Sequence, residues 1–424
     1  MNILMMTNTY KPIVGGIEKS IEVFSSEYLA SGHEVLIIAP VFKDMPKNEE
    51  NVYRIPAIQN FNGTDFSVEL PVPGILNRAL DAFKPDIVHS HHPFLVGDTA
   101  LRVSANLNIP IVFTYHTMYE LNTHYVPGDS SALKKFVIEL AGGYCDLCDH
   151  VIAPSESISD LLRERGVGTQ TTVIPTGIDV AEFDSGDGDS IRRKYGMPEN
   201  TFVVGYLGRI AEEKNMSFLA EAVIPFMKQR NDVLFLIVGD GDIAGNLKEK
   251  MRSGGIIERA YFTGILKGQD KIDAYQAMDV FVFASKSETQ GMVLNEAMAS
   301  GVPVIGLDAP GVREVVEDGV NGYLILEEDQ ILFSKKLDEF YNIEDSLKES
   351  FRKSARAAAD KFDYRKSVQK TLDLYKKAID DKHMNKHAHK SMWETAKRSI
   401  KKEMEIMSNV VKSAGAALTI KKDE

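Results

Sequence analysis

This chain has few cysteines, no excess of basic residues and no long apolar run. Only Cys145 and Cys148 occur among 424 residues, which excludes a disulfide framework and indicates a reducing, cytoplasmic compartment. Acidic residues outnumber basic ones, 61 to 49, for a net charge of −12, so we expect no nucleic-acid partner. No apolar run approaches the roughly 20 residues that span a bilayer. Any membrane contact is therefore expected to be peripheral.

Short apolar runs alternate with longer helical patterns along most of the chain. This pattern predicts an α/β fold whose parallel sheets are covered by helices on both faces. The alternation is interrupted by a polar, glycine-containing stretch near 182–190. We therefore predict a first domain over 1–180, a linker over 181–198 and a second domain over 199–363. A ligand cleft is expected where the carboxyl ends of their strands face each other.

Two acidic residues flank a predicted strand-to-helix turn in the segment SKSETQGMVLNEAMASGVPVI (285–305). Glu288 lies on the loop after a buried strand, and Glu296 lies on the first turns of the helix that begins near Gly291. Carboxylates accept hydrogen bonds from sugar hydroxyls, and the free N–H groups of a helix start suit a phosphate. The alternative is that both glutamates only cap and solvate the helix.

A pair of cations follows the first predicted strand of the second domain, and a glycine turn follows the first predicted strand of the first domain. Arg209 and Lys214 come after GYLG (205–208) and could hold a diphosphate, or could be solvated surface charges. Gly15 and Gly16 end the segment PIVGG (12–16), where glycine lets an anion approach a helix N-terminus. This turn is not the dinucleotide-binding fingerprint.

Three further patterns suggest metal sites, and each has a simpler interpretation. The histidines of PDIVHSHHP (85–93) lack an Asp or Cys at ligand spacing, and the Cys-x-x-Cys pair has no second half. Two Asp-x-Asp sequences, at 187–189 and 240–242, lie in the predicted linker and after a strand. We therefore predict no metal site.

Taken together, these segments resemble glycosyltransferase family four, which has the GT-B architecture of two Rossmann-like, doubly wound parallel-sheet domains facing a cleft. The resemblance covers about residues 1–380. Further matching segments are LIVGDG (236–241), FTG (262–264) and DGVNG (318–322).

The resemblance implies a role for individual residues. Arg209 and Lys214 would bind the donor diphosphate, Glu288 the sugar hydroxyls and Glu296 the nucleotide ribose. His91 would lie beside the transferred sugar. Arg209, Lys214, Glu288 and His91 would be the catalytic residues, and Glu296 would belong to a wider donor-binding set. In that set the glycine turn and helix start contact phosphate and the strand end contacts the base: Gly15, Gly16, Gly264, Ile265, Gly291, Met292 and Val293.

The segment after His116 is similar to the branch that glucosylates diacylglycerol-type lipids. The acceptor-side residues implied are His116, Tyr119, Glu120, His124 and Tyr125. The resemblance implies a retaining hexosyl transfer from a UDP-sugar, most simply UDP-glucose, without cofactor or metal. A sugar-nucleotide epimerase, a phosphorylase or a non-catalytic sugar-nucleotide-binding scaffold remain alternatives on the same fold.

The end of the chain differs in charge from the rest. After a helix expected to cross back to the first domain (364–381), the tail 382–424 holds ten basic and five acidic residues. Six apolar residues recur there at three- and four-residue steps: Trp393, Ala396, Ile400, Met404, Met407 and Val411. This predicts an amphipathic helix that either packs on the first domain or contacts an anionic membrane from the cytoplasmic side.

Overall fold

A computed structural model describes residues 1–13, 15–58, 68–69, 76–121, 130–384 and 392–418. The described strands are β1 (Asn2–Met6), β2 (Glu34–Pro40), β3 (Val52–Ile55), β4 (Ala57–Ile58), β5 (Val68–Glu69), β6 (Ile87–Ser90), β7 (Ile111–Thr114), β8 (His150–Ala153), β9 (Thr171–Val173), β10 (Phe202–Leu207), β11 (Val233–Val238), β12 (Ala260–Gly264), β13 (Val280–Phe283), β14 (Val304–Leu307) and β15 (Gly322–Ile325).

The described α-helices are α1 (Gly16–Ala30), α2 (Asn77–Phe83), α3 (Val96–Leu107), α4 (Ser131–Leu147), α5 (Glu156–Glu164), α6 (Gly188–Lys194), α7 (Met216–Lys228), α8 (Ala244–Ser253), α9 (Gln269–Gln276), α10 (Met292–Ala299), α11 (Gln330–Asn342), α12 (Asp345–Ala359), α13 (Tyr364–Met384) and α14 (Met392–Leu418). Within the described part of the chain, no helix is both long and apolar enough to cross a membrane.

The chain divides into two compact units. The first comprises Met1–Pro175 and Tyr364–Glu424, and the second comprises Thr176–Asp363. The main sheet of each unit is parallel throughout, with strand orders β3-β2-β1-β6-β7-β8-β9 and β12-β11-β10-β13-β14-β15. The predicted fold class, two Rossmann-like parallel-sheet domains, is confirmed.

Successive residues of β1 face opposite sides of the sheet and contribute to two cores in the first unit. Ile3 and Met5 face one side of the sheet with α1 and α13, whereas Leu4 and Met6 face the other with α3 and α4. The apolar residues of α1, Ile21, Phe24 and Tyr28, recur at helical spacing because they form the face that covers the sheet. Gly32 ends this helix: it takes a left-handed φ of 78°, and the N–H of His33 that follows donates to the Tyr28 carbonyl.

The segment 181–198, expected to be a linker, is part of the folded second unit. A 3₁₀ helix at Val180–Ser185 precedes α6, and Phe183 and Ile191 are buried in the unit's core. The Asp187 N–H donates to Asp273 Oδ1 at 2.9 Å. The polar residues of this stretch, such as Asp187 at the start of α6, cap helices and lie at the surface, while its apolar residues pack inward.

The helix α13 fastens the end of the chain to the first unit through a buried tyrosine. The Tyr375 hydroxyl lies 2.5 Å from His89 Nδ1 and accepts a hydrogen bond from the Tyr28 hydroxyl at 3.3 Å. His89 Nε2 is 2.7 Å from Thr114 Oγ1, so the histidine is bonded on both sides. His89 is therefore a packed strand residue with hydrogen-bond partners on both ring nitrogens.

Replacing Tyr375 with Phe should therefore destabilise the first unit. The change leaves a buried histidine nitrogen without its partner, which costs about 1–3 kcal/mol of unfolding free energy. Urea unfolding followed by circular dichroism measures the loss. The matched control is Tyr341→Phe, whose hydroxyl bonds Asp232 at an exposed site and should cost much less. Equal stability of the Y375F variant and the native chain would contradict this assignment.

Candidate active site

In both main sheets the strand order reverses beside the first strand of the unit. The reversal lies between β1 and β6 in the first unit and between β10 and β13 in the second. Ligands of doubly wound sheets bind beyond the carboxyl ends of the strands at such a point, where neighbouring loops diverge and leave room. The candidate residues of each unit follow these strands, and we describe the two sets separately.

Arg209 and Lys214 follow β10, and each is bonded to a carboxylate. Lys214 Nζ lies 2.5 Å from Glu288 Oε1, which arrives from the loop after β13. The half-exposed Arg209 guanidinium contacts the buried Glu213 carboxylate. The structure therefore brings together Lys214 and Glu288, two residues that are 74 positions apart. Their charges are balanced within the protein, and a bound diphosphate would have to replace a carboxylate as the partner of each cation.

The turn that starts α10 is possible only with glycine. Gly291 has φ 69°, and a Cβ there would lie 2.8 Å from the Gly311 carbonyl oxygen. Gly311 has φ 77°, and its own Cβ would meet the Gln290 backbone at 2.9 Å. These two backbones therefore pack directly on each other. The packing fixes the loop that carries Glu288 and the first helical residues, whose N–H groups have no partner inside a helix. Sequence reasoning missed Gly311.

Glu296 is held by two residues of α9 that the sequence analysis missed. Lys271 Nζ lies 2.7 Å from Oε1, and the Tyr275 hydroxyl donates to Oε2 at 2.9 Å. Burial and the adjacent carboxylate raise the pKa of Tyr275 well above its ordinary value, so it remains a donor. Each carboxylate oxygen has a second lone pair that can accept a ribose hydroxyl. The available signal was the four-residue spacing of Lys271 and Tyr275, which puts both on one helix face.

The residues predicted to contact the base lie at the end of the edge strand β12. Gly264 has φ 72°, and its carbonyl accepts the Gly239 N–H at 2.9 Å. The Ile265 side chain that follows is largely exposed. An exposed apolar side chain beside an ordered turn offers a surface on which a flat base can lie.

The glycine turn of the first unit differs from the expectation in its geometry. Gly15 has φ −160°, an extended conformation open to any residue, and a Cβ on it would lie 2.6 Å from Glu18 Oε2. A Cβ on Gly16 would meet no described atom within 4 Å. The space above the start of α1 is therefore beside Gly16, while the Glu18 carboxylate lies close to Gly15.

The histidines that follow β6 and β7 form a cluster in the first unit, in which His91 and His92 are buried and His116 is partly exposed. His91 Nδ1 lies 2.9 Å from His116 Nε2, with the rings stacked at 5.2 Å between centroids. His92 Nδ1 accepts the Asn8 N–H at 3.1 Å. Among the described residues, His91 Nε2 has no hydrogen-bond partner although it is buried. A buried unsatisfied nitrogen is costly, which makes this atom a candidate ligand-binding group.

Burial keeps these imidazoles neutral. It lowers the pKa of His89, His92 and His116 to about 3, and that of His91 well below its ordinary value, with smaller contributions from neighbouring histidines to all but His116. A neutral imidazole offers one donor and one acceptor nitrogen. His91 can therefore exchange hydrogen bonds with a hydroxyl, but it does not supply positive charge near pH 7.

Of the other residues predicted on the acceptor side, the structure describes Glu120 and Tyr119. Glu120 is buried and bonds Arg165 at 2.5 Å, and Arg165 also donates to the Tyr115 hydroxyl at 3.2 Å. This ion pair joins the end of α5 to the loop that follows β7 and favours a structural role for Glu120. Tyr119 packs edge-to-face on Phe94 at 5.2 Å. His124 and Tyr125 lie outside the described residues.

The sequence patterns that suggested metal sites have structural roles. Cys145 and Cys148 are both free and buried, and burial raises the pKa of both thiols, so neither forms a reactive thiolate. Asp187 caps α6, and Asp240 accepts the Gly241 N–H at 2.8 Å. In the described ranges, no group of three or more His, Cys, Asp or Glu side chains is arranged to hold a metal ion.

Two family models match the chain and together cover most of both units. Residues 14–182 match Glycosyltransferase Family 4, and residues 187–358 match Glycosyl transferases group 1. An alpha-monoglucosyldiacylglycerol synthase of Streptococcus pneumoniae is 32% identical, over 76% of this chain and 75% of its own length. The chain belongs to glycosyltransferase family 4. It is therefore a transferase, as the sequence predicted.

Another relative is named for a different donor, and a solved structure of similar fold contains UDP. A GDP-mannose-dependent alpha-mannosyltransferase of Corynebacterium glutamicum is 29% identical, over 77% of this chain and 76% of its own length. The crystal structure of Anabaena Alr3699/HepE in complex with UDP has a TM-score of 0.68 at 22% identity, over 89% of this chain and 100% of that one. At that identity the likeness shows the GT-B fold alone.

The neutral histidines predict that the family fold in this chain loses stability in mild acid. His89, His91 and His92 are lowered from an ordinary pKa of 6.5, so the unfolded chain binds more protons than the folded chain below that pH. Their stabilising contribution is complete above pH 6.5 and declines toward pH 3. Each buried histidine contributes a slope of up to about 1.4 kcal/mol per pH unit. Unfolding free energies measured from pH 7 to pH 5 should fall accordingly, and a flat profile would contradict the burial of this cluster.

Proposed function

We propose that this chain transfers a hexose, most simply glucose, from a UDP-sugar to a hydroxyl group of a membrane glycerolipid, with retention of anomeric configuration. The observation that carries the proposal is the Lys214–Glu288 pair at the carboxyl ends of neighbouring strands, beside the start of α10. One cation, one carboxylate and a helix N-terminus are the groups that a sugar attached to a diphosphate requires.

The proposed chemistry breaks the bond between the anomeric carbon and the diphosphate oxygen. The acceptor oxygen bonds to the same face of that carbon, and its proton passes to the departing phosphate oxygen, so that UDP and a glycoside are formed. No strong enzymic base is needed. The protein must instead hold the reactants and stabilise negative charge on the leaving group. Arg209 and Lys214 have that role in the proposal, assisted by the first N–H groups of α10 at Met292 and Val293.

Donor binding would exchange partners within the existing ion pairs. When Lys214 turns to a phosphate oxygen, Glu288 loses its cation and becomes free to accept sugar hydroxyls. The lysine is charge-balanced before and after the exchange, which keeps the cost of holding a partly buried ion low. Glu296 would accept the ribose hydroxyls while Lys271 and Tyr275 hold it in place.

Groups of the first unit would serve the transferred sugar and the acceptor. His91 Nε2 is buried and lacks a partner among the described residues, so a sugar hydroxyl would satisfy it. Gly16 would offer its backbone N–H to the diphosphate, in agreement with the open space beside it. His116 and Tyr119 remain proposed acceptor contacts. The charge at this site comes from side chains and helix ends, so we propose that no divalent metal is required.

The lipid acceptor and UDP-glucose donor are supported by similarity. The Streptococcus pneumoniae relative is named for glucosyldiacylglycerol synthesis, and the Anabaena structure contains UDP. A GDP-mannose donor, as named for the Corynebacterium glutamicum relative, is the alternative. We place the reaction at the cytoplasmic face of a membrane, in keeping with free buried thiols and a peripheral mode of attachment.

Replacing Arg209 or Lys214 with Ala should lower turnover roughly a hundredfold or more, because each removes charge stabilisation from the leaving diphosphate. Steady-state rates of UDP release, measured with excess donor and acceptor, give the effect. Because K214A leaves the partly buried Glu288 carboxylate, and R209A the buried Glu213 carboxylate, without its cation, circular dichroism at the assay temperature checks that both variants are folded.

The matched controls are Arg252→Ala and Lys353→Ala, which remove exposed cations that pair with glutamates on α8 and α12. Both controls should keep native turnover. Native turnover in R209A and K214A would overturn the diphosphate assignment and with it the proposed mechanism.

A further inference from the structure

The tail helix α14 packs on the first unit through its more polar side. Lys402 Nζ donates to the Leu147 carbonyl and Asn409 Nδ2 to the Leu140 carbonyl, each at 3.0 Å. Arg102 of α3 forms an ion pair with Glu403 at 2.8 Å. Ile406 is buried between these contacts and belongs to the apolar core of the unit. The helix is therefore held against α3 and α4 by specific bonds.

The approach between α4 and α14 is close. A Cβ on Gly143 would lie 1.8 Å from Asn409 Oδ1, so the glycine makes room for the asparagine side chain. Ser413, one turn further along, is fully buried. These small and polar contacts fix which side of α14 faces the unit.

The opposite side of α14 presents an apolar surface to solvent. Ile400, Met404, Met407 and Val411 are each between 62% and 67% exposed. Their spacing of four, three and four residues places them in one line along the helix. We call these four residues the outer stripe. The sequence offered packing on the first domain or contact with a membrane as alternatives, whereas the structure gives the helix one packed side and one apolar side without a described partner.

The charges beside the outer stripe are basic. Lys401 and Lys412 are exposed and lie on the same flank of the stripe. Of the nearby acids, Glu403 pairs with Arg102, and Glu405 is shared between Lys402 at 3.1 Å and Lys401 at 3.8 Å. The tail 382–424 contributes a net +5, so the rest of the chain carries −17. The positive charge of this surface is therefore local and opposes the overall charge of the protein.

We infer that the outer stripe docks onto an anionic lipid surface, with Met404 and Met407 entering the boundary between headgroups and acyl chains. Exposed apolar side chains flanked by lysines are complementary to such a surface in both polarity and charge. Methionine is flexible and suits a disordered partner. A second copy of the chain fits less well, because pairing through this stripe would bring like-charged lysines and two acidic bodies together.

Docking would bring the protein to its proposed lipid acceptor, so this inference rests on the proposed function. Because α14 is bonded to α3 and α4, docking would orient the first unit, which carries His91 and His116, on the membrane. The structure also shows that deletion of 382–424 is a poor test. Such a truncation would uncover the apolar surface around Ile406, and the exposed core would itself promote binding to lipid.

The test is sedimentation of the full chain with vesicles of phosphatidylglycerol or of phosphatidylcholine. The double variant Met404→Gln/Met407→Gln should bind phosphatidylglycerol vesicles at least about tenfold more weakly than the native chain. Lys401→Gln/Lys412→Gln should lose the preference for the anionic lipid. The matched control is Ile331→Gln, which changes an apolar side chain that is 81% exposed on α11 and should bind as the native chain does.

Folding and activity are read in the same variants. All should keep native circular dichroism, and all should keep native transfer to diacylglycerol presented in detergent micelles, where no membrane docking is required. Equal vesicle binding by M404Q/M407Q and the native chain would overturn the inference. A native dimer that this variant dissociates, with vesicle binding unchanged, would also overturn it in favour of a second copy. Stripe-dependent vesicle binding without any lipid transfer would support the docking surface while refuting the proposed acceptor.

Discussion

The reversal of strand order in each parallel sheet is the constraint on which this structure depends. Parallel strands place their carboxyl ends at one edge, and the reversal leaves two adjacent loops that turn away from each other. Lys214 and Glu288 follow β10 and β13 on either side of that point in the second unit. His91 follows β6 at the corresponding point in the first. Residues far apart in sequence therefore become candidates for one function because of sheet topology.

Charge at these sites is controlled in two different ways. The second unit keeps its cations exposed or partly exposed and bonded to carboxylates, so they stay charged and can exchange a carboxylate for a phosphate. The first unit buries its histidines until they are neutral, which suits hydroxyl recognition. In the proposed function, the first kind of environment would serve the anionic donor and the second kind would serve hydroxyl groups.

The sequence predicted the fold class and the Glu288–Glu296 block because strand–helix alternation and a glycine-dependent turn are local features. It missed Lys271, Tyr275 and Gly311, since their contribution comes from packing on a distant segment. The segment 181–198 was expected to be a linker because helix-capping residues at a protein surface have the same polar, glycine-containing composition as a flexible linker. The sequence showed the apolar periodicity of the tail. It did not show which side of the helix packs, because that depends on the close contact between Asn409 and Gly143.

The proposed function is that this member of family 4 makes a glycolipid with retention. The direct measurement is nuclear magnetic resonance of the native chain with diacylglycerol micelles and UDP-glucose labelled at its anomeric carbon, in excess EDTA. The account predicts a new α-anomeric glucosyl-lipid signal at the expense of the donor. A β-anomeric product, an epimerised nucleotide sugar, or transfer only after a divalent metal is restored would contradict it.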